Sequence, residues 1–211
     1  MISYFDKNYN LPVCKFRGTK FDIKFPCYAS LKLDGELTYI IKKGEKVFSV
    51  NKPKYGRWRL EYPALEEFKF LNMPDGIYLA ELYWNEGRTK QDFYDFLKNK
   101  TSDELKLAIW GILQQYERTD FTAREVYNYL SYLNNECKNF KYLSVAPQWF
   151  VANKGELEEL VEEYIVKKGF EGLVVKREDA VWIDGVSIKW VKIKLKDREQ
   201  NYRNAKYGIW L

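Results

Sequence analysis

The sequence predicts an α+β fold with mainly antiparallel strands. Runs rich in Ile, Val, Tyr and Trp outnumber helical patterns. Asp-Gly pairs at Asp34–Gly35 and Asp184–Gly185 sit between such runs and read as tight turns. No Pro/Gly/Ser-rich linker divides the 211 residues, a length that suits one domain, or one domain with lobes. The expectation is therefore a single domain over residues 1–211.

The strand-like runs, in order, are Cys27–Leu33, Glu36–Lys42, Lys46–Val50, Gly76–Trp84, Lys106–Leu113, Val145–Phe150, Gly172–Val181 and Ser187–Leu195. Three helices are expected among them. Lys90–Asn99 carries Phe93, Phe96 and Leu97. Thr122–Cys137 opens with Thr122 and Glu125 in capping-box spacing and puts Val126, Leu130, Leu133 and Cys137 on one stripe. Glu156–Lys168 repeats Leu157, Leu160, Val161 and Tyr164 and stops at Gly169, a natural C-terminal cap.

Composition narrows the chemistry. Hydrophobic residues make up 46% and charged residues 31%, enough apolar mass for a real core. The formal net charge of +5 suits a phosphate-bearing partner. The aromatics, 18% of the chain, are mostly core, with base stacking as their other use. Three cysteines without a C-x-x-C pair argue against a disulfide framework or a zinc cluster and fit a reducing, cytoplasmic setting. The N-terminus has no apolar signal core, and the Leu107–Leu113 run is too short to span a bilayer. No histidine is present, which excludes Ser-His-Asp triads, Cys-His pairs and histidine-bound zinc. Any enzyme chemistry must run on Lys, Asp, Glu, Tyr, Cys or a metal held by oxygen ligands.

Four segments carry candidate chemistry. In SLKLDGEL, residues 30–37, Lys32 lies in an apolar strand just before the Asp34–Gly35 turn. It is either a solvated hairpin lysine or a nucleophile, and a nucleophile would need burial or neighbouring cations to become a free amine. In SIKWVKIKLK, residues 187–196, alternation puts Val191, Ile193 and Leu195 on one face and Trp190, Lys192, Lys194 and Lys196 on the other. That row is either a solvated strand face or a polyphosphate cradle beside Lys32. Glu171 precedes an apolar Leu-Val-Val run, and Glu81 interrupts the apolar strand IYLAELYW. Structural ion pairs would explain both glutamates. Two carboxylates near phosphates would instead hold Mg²⁺.

Together these segments resemble the covalent nucleotidyltransferase superfamily of ATP-dependent DNA ligases, RNA ligases and mRNA capping enzymes. Lys32-Leu33-Asp34-Gly35 is similar to the family's K-x-D-G element, and the segment around Glu81 to its third motif. LKLAIWGIL with Trp110 resembles the next motif, Glu171–Lys176 matches E-G-hydrophobic-hydrophobic-x-K, and Trp190, Lys192 and Lys194 match W-x-K-x-K. The resemblance spans roughly residues 27–196. It implies a ligase nucleotidyltransferase fold of ATP-grasp-like type, two antiparallel sheets flanked by helices with the nucleotide between them. It also implies a three-step reaction with ATP and Mg²⁺ or Mn²⁺. Lys32 becomes lysyl-AMP, AMP passes to a 5′-phosphate, and a 3′-hydroxyl displaces it in nicked duplex DNA or RNA. By the same resemblance Trp110 stacks on adenine, Glu81 holds the ribose or metal, and Glu171 ligates the metal. Lys192 and Lys194 grip the α-phosphate, and Ser30 and Leu31 lie beside the nucleotide. Asp34, Lys176, Arg57 and Arg59 are further candidates.

Three departures qualify the pattern. The arginine common two residues after the glycine is Leu37 here, and the Arg-Asn element is Val50-Asn51. Arg57 or Arg59 is the expected substitute. Only 17 residues follow Lys194, so an OB-fold domain is expected to be absent or to sit on a separate partner chain, as is a DNA-binding domain. The Glu171–Lys194 region resembles DNA ligases more, whereas Leu37 is also found among RNA ligases, so the resemblance slightly favours DNA joining. RNA joining, a capping-type GTP reaction and a non-catalytic nucleic-acid scaffold are the rivals.

Overall fold

The structure is a computed structural model that describes residues 11–17, 23–51, 57–59, 62–83 and 105–194. The elements, in chain order, are β1 (Cys14–Arg17), β2 (Cys27–Lys32), β3 (Glu36–Lys43), β4 (Lys46–Asn51), β5 (Arg57–Arg59), α1 (Pro63–Lys69), β6 (Gly76–Tyr83), β7 (Lys106–Gln115), α2 (Ala123–Glu136), β8 (Leu143–Val145), β9 (Gln148–Val151), α3 (Lys154–Leu160), β10 (Gly172–Arg177) and β11 (Gly185–Lys194). α3 runs on as a π-helix over Val161–Lys167. The predicted helix Lys90–Asn99, with Trp84, Leu195 and Lys196, lies outside the described residues.

The chain divides into two compact units. The first holds a six-stranded sheet in the order β5-β4-β3-β6-β7-β8. Its strands are antiparallel except for the β7·β8 pair, which is parallel. Strand alternation alone would leave one face wet, yet Tyr39, Ile40, Ile41, Ile77, Tyr78 and Leu79 are all buried. The short helix α1 contributes Ala64, Leu65 and Phe68, and the Phe68 ring lies 5.5 Å from that of Tyr78. Pro63 starts this helix at a position where a missing N–H costs nothing. At seven residues it is too short to show a helical period in the sequence.

The second unit holds a five-stranded sheet in the order β1-β11-β10-β2-β9. It too is antiparallel except for one parallel pair, β1·β11, so both sheets are mixed rather than purely antiparallel. One face of this sheet carries Cys27, Ala29, Leu31, Leu173, Val175 and Ile193, packed with Leu157 of α3 and Ile165 of the π-helix. The other face carries lysines together with buried Tyr28, Val174 and Trp190.

Two local outcomes differ from the sequence reading, and a third agrees with it. The run Val145–Phe150 is not one strand. β8 pairs with β7 in the first unit, and β9 pairs with β2 in the second. Pro147 between them has no N–H for a ladder; its carbonyl instead accepts from Leu31 N–H at 2.8 Å. The Asp34–Gly35 pair is not a hairpin turn, because β2 and β3 belong to different sheets. The α2 stripe of Val126, Leu130, Leu133 and Cys137 is buried as expected, and the capping box forms. Thr122 N–H donates to Glu125 Oε2 at 2.9 Å, and Glu125 N–H donates to Thr122 Oγ1 at 3.3 Å.

Candidate functional site

Sheet register assembles the lysines in the second unit. Gly172 on β10 lies opposite Lys32 on β2 and also opposite Lys194 on β11. Two residues along, Val174 pairs with Ser30 and with Lys192, and two further, Lys176 pairs with Tyr28 and Trp190. Residues in one row, and in rows two apart, share a face. Lys32, Lys194, Ser30, Lys192 and Lys176 therefore occupy the face opposite the apolar core.

Glu171, immediately before β10, joins the two ends of the first row. Lys32 Nζ donates to its Oε2, and Lys194 Nζ donates to its Oε1 at 2.5 Å. The side chains are 23%, 21% and 31% exposed for Lys32, Glu171 and Lys194, so all three are partly shielded yet reachable. Burial pushes the Glu171 carboxyl up, but hydrogen bonds from Lys194 and Lys32, with their charges, outweigh it and hold it below the usual carboxylate range. The sequence predicted a crowd of ammonium groups around Lys32. The structure shows a carboxylate between two of them, because Glu171 sits where the strands bring both lysines within reach.

Gly172 makes that convergence possible, and the sequence reading passed over it. A Cβ there would meet the Ile193 carbonyl oxygen at 2.0 Å. A glycine inside a strand pattern is itself a sign of close backbone approach, so the signal was present.

The rest of the face is less open. Ser30 is buried, and Lys192 is half-buried. Trp190 is buried against Phe16, whose ring stacks on it at 5.5 Å, so the lysine row of β11 is not a solvated face. Lys176 is buried with its Nζ 5.1 Å from the Trp190 ring centroid, and burial pulls its ammonium down to about 7. Leu31 points the other way, into the apolar core, and its N–H is taken by Pro147. Strand alternation therefore keeps its side chain out of any nucleotide contact on the lysine face.

The first unit carries the remaining candidates. Glu81 on β6 is half-buried and pairs with Leu37 on β3 and Ala108 on β7. A Cβ on Gly35 would meet the Leu82 carbonyl oxygen at 2.3 Å and Glu81 Cγ at 2.9 Å, so the glycine lets the chain run against that strand. Asp34 beside it is exposed. Trp110 falls where the β6·β7 register shifts, between partners of Leu79 and Ala80; a bulge of this kind re-aims a side chain. Asn51 donates to Glu36 Oε2 at 3.2 Å and lies 3.2 Å from Thr38 Oγ1, a buried local bracket. β5 sets Arg57 opposite Asn51 and Arg59 opposite Ser49; their side chains lie outside the described residues.

Metal ligands are a poorer fit. Among the described residues no three or more His, Cys, Asp or Glu side chains gather as a cation site. Both oxygens of Glu171 are already engaged by lysines, so it would hold a divalent ion only after one of them moved.

No protein-family model matches the sequence, and no curated protein is similar to it in sequence. Solved structures are similar in fold. The ligase domain from M. tuberculosis LigD superposes with a TM-score of 0.63 at 17% identity, over 90% of this chain and 61% of that one. The ATP-dependent DNA ligase from bacteriophage T7 in complex with ATP gives 0.60 at 18%, over 87% and 68%. This is the DNA ligase nucleotidyltransferase fold. Chlorella virus DNA ligase-adenylate shares it, with a TM-score of 0.61 at 16% identity over 86% of this chain and 66% of that one. The chain spans 42% of the length of another ligase structure, Pmar-Lig, at a TM-score of 0.64 and 16% identity. Among the described residues no helix is long and apolar enough to cross a membrane.

Proposed function

We propose that the chain is the nucleotide-transferring core of an ATP-dependent polynucleotide ligase, with Lys32 as the residue that takes up AMP. One observation carries the reading: on a ligase nucleotidyltransferase fold, the register aligns Lys32 and Lys194 in one row with Glu171 bridging them. Phosphoryl transfer needs positioning and charge neutralisation more than acid–base groups, so a chain without histidine can perform it.

In the first step the Lys32 ammonium gives up a proton to solvent, with Glu171 holding the side chain in place. Nζ then bonds to the α-phosphorus of ATP, the bond from that phosphorus to the bridging oxygen breaks, and pyrophosphate leaves. Lys194 and Lys192 neutralise the phosphate as charge builds on it. The anion competes with Glu171 for Lys194, which would free one carboxylate oxygen. AMP then passes from Lys32 to a 5′-phosphate, and a 3′-hydroxyl expels it as the strand closes. Ser30 and Lys176 lie further along the same face but are buried, and only the family resemblance assigns ribose and adenine to Glu81 and Trp110. When bound, Mg²⁺ or Mn²⁺ would supply additional charge neutralisation at the phosphates, with Glu171 a candidate ligand once a lysine had released it.

DNA is the favoured substrate. Leu37 in place of the expected arginine favours RNA ends as the second reading. Incubation with α-labelled ATP or GTP and a divalent ion tests the first step; label from ATP but not GTP is expected, and none in Lys32→Ala. Supplying pre-adenylated nicks in DNA or RNA tests the last. Sealing of neither would count against a ligase and for a nucleic-acid-binding scaffold.

A further inference from the structure

Glu171 stands outside the strand ladder, so something must fix its backbone on the side away from Gly172. That anchor is the π-helix Val161–Lys167. An ordinary α-helical ending places a glycine just past its cap, and the next N–H bonds to a carbonyl five residues back. Here Gly169 takes that left-handed position, at φ +73°, but Phe170 N–H donates to Tyr164, six residues back, at 3.0 Å. The extra residue comes from the wide turn, in which Lys168 N–H reaches Glu163 at 3.2 Å.

Tyr164 is the hub of this exit. Its carbonyl holds Phe170, and its ring lies 4.6 Å from Trp149 and 6.3 Å from Phe170, with Lys168 Nζ 4.4 Å above it. Glu163 holds that lysine at 3.1 Å. Phe170 is 36% exposed, so its side chain reaches Tyr164 from the edge of the solvent. Restoring an α-helical turn would shift the exit by one residue, a rotation of ~100° about the helix axis. The Glu171 carboxylate would then leave the gap between Lys32 and Lys194.

We propose that this π-helical exit is a positioning device for Glu171, with Tyr164 as its positioning residue. The role in catalysis rests on the ligase reading above. The role in geometry does not, and two readouts separate them.

The first readout is acylation of Lys32 by acetic anhydride in the ligand-free protein, measured by peptide mass spectrometry against the exposed Lys46. Tyr164→Ala and Phe170→Ala are expected to raise it several-fold, because a displaced Glu171 no longer holds the amine. Tyr164→Phe, which keeps the ring, is expected to match the parent. The second readout is the single-turnover rate of lysyl-AMP formation. The alanine variants are expected to lose on the order of 10- to 100-fold in maximal rate, the cost of a small misplacement, at an unchanged half-saturating ATP. Wild-type acylation in both alanine variants would overturn the proposal. Altered acylation with no lysyl-AMP in any protein would overturn the ligase reading and leave the positioning role standing. If Tyr164→Ala does not fold, Phe170→Ala decides alone, since its side chain is already partly in solvent.

Discussion

At the scale of single residues, the account turns on a carboxylate shared by two ammonium groups. Glu171→Gln keeps the shape and removes the charge. The rate of AMP transfer to Lys32 is expected to fall ~10²-fold or more, the scale for one preorganised charge contact, in a quench-flow labelling assay. The same variant has a pH signature. The folded carboxyl titrates below its unfolded value of ~4.3, so the pair stabilises the protein above that value and the contribution disappears as acid protonates the folded group. Denaturant melts should therefore show wild type more stable than Glu171→Gln at neutral pH, with the gap closing below about pH 4. Gly172→Ala tests the close approach behind it. A Cβ 2.0 Å from the Ile193 carbonyl forces the strands apart, at about 1–3 kcal/mol, readable as a lower melting temperature. The lysines and the glutamate were legible in the sequence because each stood within or beside an apolar strand. Their mutual arrangement was not, since neither strand order nor the glycine's close contact follows from alternation along one strand.

Elements show the same division. Strands β2, β3, β4, β6, β7, β10 and β11 could be read from β-branched and aromatic runs, and α2 from its stripe and cap. Thr122→Ala removes one half of that capping box and should cost about 1 kcal/mol, measured by thermal melting. What escaped the sequence were elements too short to display a period, β1, β5 and α1, and the break at Pro147, where apolar character continues across two strands of different sheets. The π-helical exit was also invisible. Leu157, Leu160, Val161 and Tyr164 fit an ordinary helical stripe, and the widening appears only in which carbonyl each N–H finds. Local sequence sets the apolar stripe, and the widened turn brings the Tyr164 ring to 4.6 Å from Trp149, a contact between residues 15 apart that no stripe displays.

At the scale of the whole molecule, the sheet of the second unit has one apolar face and one face on which lysines alternate with buried Tyr28, Val174 and Trp190. Lys176 shows what the second face costs. Its amine is buried and titrates near 7, far below the ~10.4 of an unfolded chain, so the unfolded state binds more protons between those values and stability rises with pH across them. Lys176→Met should be the more stable protein at pH 7, and its advantage should shrink toward pH 10 in paired denaturant melts. A constant advantage would mean the lysine is not held neutral. The central claim, that Lys32 is the nucleophile, is tested most directly by peptide mapping of the protein after incubation with ATP and a divalent ion. The account predicts a phosphoramidate-linked AMP on the peptide that contains Lys32, lost on mild acid treatment and absent from Lys32→Arg. AMP found on any other side chain, or a Lys32→Arg protein that still carries it, would contradict the account.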